Sequence, residues 1–138
     1  MVKIDSSYDV ILTYSPISEI TGHVFECFDY YLFLRNYYKV GILFMEGLNF
    51  DQLKTAFNSK YIVDFDDISK DIIQLSHETL ARERIYQFGS KTVVILCDGN
   101  IRSLADKHIF LCTNRLLGFM CGQYSFENVK INNHITYL

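Results

Sequence analysis

An excess of positive charge is the first thing this sequence lacks. Lys and Arg total 13 against 16 Asp and Glu, giving a formal net charge of −3 over 138 residues. A broad nucleic-acid surface normally needs a basic stripe, so that class of function is disfavoured. Arg82 and Arg84 lie close together, but Glu83 separates them and the stretch reads as a solvated helix face. No apolar run approaches the length of a membrane span. No signal peptide precedes the first apolar segment, so a cytoplasmic protein is expected. The cysteines Cys27, Cys97, Cys112 and Cys121 form no C-x-x-C pair. A zinc site needs a tight ligand pair, and these residues read instead as buried free thiols. The patterns G-x-x-x-x-G-K, G-x-S-x-G and H-E-x-x-H are all missing, which removes most of the case for the enzyme classes built on them. There is one proline, Pro16, and no tryptophan, internal repeat, low-complexity tract or linker.

What is present is apolar and aromatic mass: 49% of residues are hydrophobic, with 10 Tyr and 11 Phe. That is enough to bury the core of one domain, residues 1–138. Tyr8–Tyr14 reads as a strand whose unbroken centre, Val10-Ile11-Leu12, suits cover on both faces. Gly22–Tyr38 reads as a helix, with Val24, Cys27, Phe28, Tyr31, Leu34 and Tyr38 at helical spacing. Phe25, Tyr30, Leu32, Phe33 and Tyr37 fill most of the remaining circumference, so cover from more than a sheet is expected.

Val40–Met45 is a second strand, and Asn49 is a plausible N-cap for a helix carrying Phe50, Leu53 and Phe57. Tyr61–Phe65 is expected to be a short strand. It runs into an acidic loop at Asp64, Asp66 and Asp67, which lacks calcium-loop spacing. Ile72–Leu75 is a further strand. Ser76 caps a helix expected to place Ala81, Ile85 and Phe88 on its inner face and to stop at Gly89. Lys91–Cys97 is the strongest strand, His108–Cys112 is another, and 129–137 is a candidate hairpin turning at Asn132-Asn133. Strands alternating with helices predict a Rossmann-like α/β domain, its mostly parallel sheet covered by helices on both faces.

In such a sheet the loops after the strands converge on one edge. Gly22 and His23 open the first helix, where backbone N–H groups can hold an anion or a sugar hydroxyl. His23 has the chemistry of a general base, and Glu19 is a second base candidate. The alternative for His23 is a local hydrogen bond at the helix start. Asp98 could accept a proton or bind hydroxyls, and Arg102 could meet a phosphate. The alternative for Asp98-Gly99-Asn100 is plain turn geometry. The candidate set is therefore His23, Glu19 and Asp98 as catalytic groups. Ser15, Thr21, Gly22, Gly99, Asn100 and Arg102 are the candidate substrate contacts. No metal ligand or cofactor is expected: His77 reads as a first-turn residue, and His108 and His134 have no partner at ligand spacing.

Taken with their order, these segments resemble the N-terminal half of a two-domain glycosyltransferase of the GT-B type. The likeness runs through strand Tyr8–Tyr14, the loop ending Thr21-Gly22-His23, the helix and strand Val40–Met45. It continues through Thr92–Gly99 and His108–Cys112. Ile, Asn, Lys, Tyr and Phe are plentiful and Ala is scarce, the codon bias of an AT-rich genome. With that composition the chain is similar to the phage sugar transferases that modify hydroxymethylcytosine in DNA, arabinosyltransferases among them. The resemblance implies an acceptor-side domain in the host cytoplasm. A second domain or chain would supply the sugar nucleotide, and modified DNA would be the acceptor. The chain departs from the pattern in having a single Gly22 where many relatives have a glycine pair. It also lacks the spaced glutamates of the donor-binding domain, for which 138 residues leave no room.

Two other readings stand beside it. One is a non-catalytic α/β protein-binding module, such as a small phage inhibitor or anti-defence protein. The other is a standalone nucleotide-binding domain, which the missing phosphate fingerprint disfavours.

Overall fold

The computed structural model describes residues 1–14, 20, 22–44, 48–97, 109–111, 116–118 and 135–137. The strands are β1 Val2–Lys3, β2 Val10–Tyr14, β3 Val40–Phe44, β4 Ile72–Gln74, β5 Ile85–Gln87, β6 Val93–Leu96, β7 Ile109–Leu111, β8 Leu116–Gly118 and β9 Ile135–Tyr137. The helices are α1 Gly22–Leu34, α2 Phe50–Lys60, α3 Phe65–Ile68 and α4 His77–Arg82, with a 3₁₀ turn at Ser69–Asp71 before β4.

Six strands form one sheet in the order β4-β3-β2-β6-β8-β9, and every adjacent pair is parallel. Numbered among themselves along the chain, they run 3-2-1-4-5-6. This is the doubly wound Rossmann order, whose switch point falls between the first and fourth strands, here β2 and β6. The continuous apolar runs are explained by this placement. β2 pairs on both edges, with Val10 opposite Val40 on one side and Val93 on the other, and all five of its residues are buried.

One face of the sheet carries α1, α2 and α3. Phe28 of α1 packs edge-on against Phe57 of α2 at 4.9 Å, and Phe57 lies 5.7 Å from Phe65 of α3. The apolar circumference of α1 is thus covered partly by the sheet and partly by α2 and Tyr61, whose ring lies 6.2 Å from Phe28. Tyr61 also ties the helices through its hydroxyl, 2.6 Å from Asp29 Oδ1.

The second face differs from the expected helical cover. Among the described residues it is covered by a smaller parallel sheet, β1-β5-β7. Ile11, Leu43, Val94 and Leu96 meet Ile4, Tyr86, Phe88 and Phe110 there. The chain reaches this sheet before β2, between β4 and β6, and between β6 and β8.

Several local expectations are corrected. α1 stops at Leu34 rather than Tyr38, because Asn36 Nδ2 donates to the carbonyls of Leu32 and Phe33 at 3.2 and 3.1 Å. This satisfies acceptors that a continuing helix would have used. The segment expected to be a strand at Tyr61–Phe65 instead leads into α3, with Asp64 accepting from Asp66 N as N-cap. The acidic loop is therefore a capped turn, and Lys54 pairs with Asp66.

The helix capped by Ser76 ends at Arg82, and Ile85–Gln87 is a strand with the exposed–buried–exposed alternation of one. Gly89 is not a helix stop. A Cβ there would lie 2.9 Å from Ser6 Cα, so glycine serves a close backbone approach. Ile135–Tyr137 joins β8 in parallel, while 129–134, the rest of the expected hairpin, lies outside the described residues. Cys27 and Cys97 are buried and in no disulfide, and Cys112 and Cys121 lie outside the described residues. No described helix is long and apolar enough to cross a membrane.

Candidate functional site

Strand order puts the topological switch point, where doubly wound sheets bind their ligands, between β2 and β6. β2 and β6 run parallel and in register up to Thr13 opposite Leu96. The pairing then closes with Cys97 N donating to Thr13 O at 2.8 Å. The chain therefore leaves the sheet after Tyr14 and after Cys97 from neighbouring positions on one edge. Thr13 anchors this edge: it is fully buried, and its hydroxyl donates to Leu43 O at 2.8 Å, joining β2 to β3. Farther along the same edge, Gln74 Nε2 donates to Leu48 O at 2.9 Å and holds the entry to α2. Asn49 Oδ1 then accepts from Gln52 N at 3.0 Å, the cap expected from its sequence position.

Of the candidate residues, only Gly22 and the backbone of His23 belong to the described residues. Gly22 is the first residue of α1 and is exposed, with no atom within 4 Å of where a Cβ would stand. Among the described residues, packing does not demand glycine there. His23 is the second residue of α1, and its side chain lies outside the described residues. Ser15, Glu19, Thr21, Asp98, Gly99, Asn100 and Arg102 also lie outside them. Among the described residues, no three His, Cys, Asp or Glu side chains converge as metal ligands would.

Comparison with models of known protein families, with curated proteins and with solved structures finds no match. The strand order and the residues themselves are therefore what a functional reading has to rest on.

Sequence reasoning missed a second polar cluster, at the opposite edge of the main sheet. Tyr31 of α1 is buried and donates to Asp71 Oδ2 at 2.5 Å, while Tyr8 approaches Asp71 Oδ1 at 3.4 Å. Burial raises the Tyr31 phenol well above its ordinary value. The Asp71 hydrogen bond and charge add to that, and Arg35 opposes it. Tyr8 is raised for the same leading reason, with Asp71 next. The only local hint was Arg35 one helical turn after Tyr31. Asp71 is 40 and 63 residues distant from its two partners, and nothing in the sequence links them.

Proposed function

We propose that the chain is the acceptor-side domain of a glycosyltransferase, phage-encoded and acting on modified DNA, with the sugar nucleotide held by a second domain or chain. The observation that carries this reading is the 3-2-1-4-5-6 strand order. It sets the chain exits after Tyr14 and Cys97 side by side, so Ser15–His23 and Asp98–Arg102 begin from one rim. The first N–H groups of α1, which begins at Gly22, have no partner within the helix itself and suit an oxygen-rich ligand.

The roles follow from the residue types. One of His23, Glu19 and Asp98 takes the proton of the acceptor hydroxyl as its oxygen bonds to the anomeric carbon. The bond from that carbon to the nucleotide diphosphate breaks, and the diphosphate departs on the partner's side. Ser15, Thr21, Gly22, Gly99, Asn100 and Arg102 orient the acceptor by hydrogen bonds. No cofactor is required of this half.

The test is transfer of labelled sugar to hydroxymethylated DNA. It is run with the purified chain alone and with the protein encoded immediately downstream. Transfer by the combination, abolished or strongly reduced by Asp98→Asn or His23→Ala, supports the reading. No transfer in any combination, or transfer indifferent to both substitutions and to Glu19→Gln, overturns it.

A second reading, a non-catalytic protein-binding module, is favoured by one observation. Phe33 and Tyr37 stand exposed at the end of α1 with ring centroids 5.7 Å apart, and paired exposed rings are typical binding anchors. Tight complex formation abolished by Phe33→Ser with no sugar transfer would decide for it.

A further inference from the structure

The Tyr8–Asp71–Tyr31 cluster forms the wall of a cavity of about 570 Å³ around the first residues of β2 and β3, which Arg35, Lys39 and Lys70 also line. Two carboxylates face these three cations: Asp67, and Asp71, whose oxygens already accept from the two phenols. Among the described residues, none of the three cations is in an ion pair, whereas Lys54 and Arg82 elsewhere pair with Asp66 and Glu78.

Neutral groups hold two of them instead. Arg35 lies 5.9 Å from the Tyr31 ring centroid. Lys39 lies 4.8 Å from that of Tyr8 and donates to the Ser7 hydroxyl. Ring faces orient a cation without cancelling its charge. The result is a concave surface whose three cations outnumber the two carboxylates lining it, with Arg35 and Lys39 held by neutral groups and Asp5 within electrostatic reach of Lys39.

A second cavity of about 470 Å³ adjoins it, lined by Leu34, Val10, Val93 and Ile95, with Asp9 and Lys91 at its polar side. Tyr38 belongs to both walls. Val10 in one cavity and Val40 in the other are register partners on adjacent strands. The half-exposed Tyr38 ring (53%) therefore stands between a cationic chamber and an apolar one.

We propose that this pair of cavities is a ligand site for a phosphate monoester bearing a flat or apolar group. The phosphate takes Arg35, Lys39 and Lys70, and the attached group rests on Tyr38 against Leu34 and Val93. A phosphate monoester carries close to two charges near neutral pH and offers three acceptor oxygens. It matches three cations, one of them the planar fork of arginine, better than a carboxylate does. The site lies at the edge where β2, β3 and β6 begin. The rim of the proposed transferase reaction lies where they end, so this inference does not depend on that reading.

Calorimetric titration of the whole chain with phenyl phosphate, inorganic phosphate and phenol tests it. Phenyl phosphate should bind about ten-fold more tightly than inorganic phosphate, the effect of burying a small apolar group, and phenol should show no saturable binding. Lys70→Gln and Arg35→Ala should each weaken phenyl phosphate by about ten-fold, one charge-assisted contact each. Tyr38→Ala should remove the preference for phenyl phosphate while leaving inorganic phosphate unchanged. Lys70 is exposed, so its substitution leaves the fold intact and keeps the test decisive even if Arg35→Ala unfolds. No saturable binding of phenyl phosphate, equal binding of phenol, or binding indifferent to Lys70→Gln would overturn the proposal.

Discussion

Replacing Phe28 with alanine tests the way α1, and with it the start of the candidate rim, is fixed to the sheet. Phe28 is fully buried. Its ring stands nearly edge-on to three others, Phe57 at 4.9 Å and 69°, Tyr61 at 6.2 Å and 67°, and Phe44 at 6.3 Å and 72°. These neighbours come from α2, the turn after it and β3, so the cavity left by the ring cannot close by movement of one element alone. Truncation of such a residue costs about 3–5 kcal/mol, transfer and cavity terms together. A domain of this size has about 5–15 kcal/mol in all, so the loss is a large share of its stability. Phe28→Leu refills much of the volume but not the edge-to-face geometry and is expected to cost about 1–2 kcal/mol.

Urea unfolding followed by circular dichroism reads the difference. With a slope of about 1–3 kcal/mol per molar, the Phe28→Ala midpoint should fall by more than about 1 M. Ile62 is fully exposed, and Ile62→Ala should stay within about 0.5 kcal/mol of the parent. A Phe28→Ala loss no larger than that of Ile62→Ala would refute the packing of α1 described above.

Three further outcomes are expected. Asn49→Ala should cost about 1 kcal/mol in urea unfolding by orphaning Gln52 N, and Asn49→Asp should restore nearly all of it; equal loss in both would mean the cap is not what matters. Gly89→Ala should cost about 1–3 kcal/mol by calorimetry, because the new methyl meets the Ser6 backbone at 2.9–3.0 Å and cannot be relieved by a side-chain rotation; an unchanged melting temperature would contradict that approach.

Alkaline pH should destabilise the fold for a definite reason. The phenols of Tyr8, Tyr31, Tyr61 and Tyr86 are all raised above their ordinary value of 10.0, burial being the leading cause in each. Their contribution is fully present below that value and is lost as pH rises from there through the raised folded values, since the unfolded chain ionises first. Tyr31→Phe should flatten the fall in stability in that range. Native-state tyrosinate absorbance in which all ten tyrosines titrate together would disprove it.

The parts of the fold readable in advance were those decided by a few neighbouring residues. The caps at Asn49 and Ser76 need only a side-chain oxygen and an N–H three residues on, so sequence alone locates them. β2, β3 and β6 announce themselves because strands buried on both faces must be apolar throughout. β5 carries a helical signal in the sequence, because Ala81, Ile85 and Phe88 also satisfy a helical period. Its pairing with β1 and β7, more than twenty residues away on either side, overrides that signal. β1 and β8, with two and three residues, are too short to display any period. Of the candidate site, sequence identified the ends of β2 and β6 as loops rich in polar groups. That those two strands are neighbours came from the register.

The amino-acid sequence by itself determined the class of this protein: which runs become buried parallel strands, where helices start, and that polar residues gather after the strands. These are local matters, set by side-chain chemistry over a turn or a strand. Tertiary structure alone decided that the first and fourth strands of the main sheet lie together, that a second sheet covers its back, and that Tyr8, Tyr31 and Asp71 meet. Each of these depends on which buried surfaces find one another across long stretches of chain, and no local pattern encodes that choice.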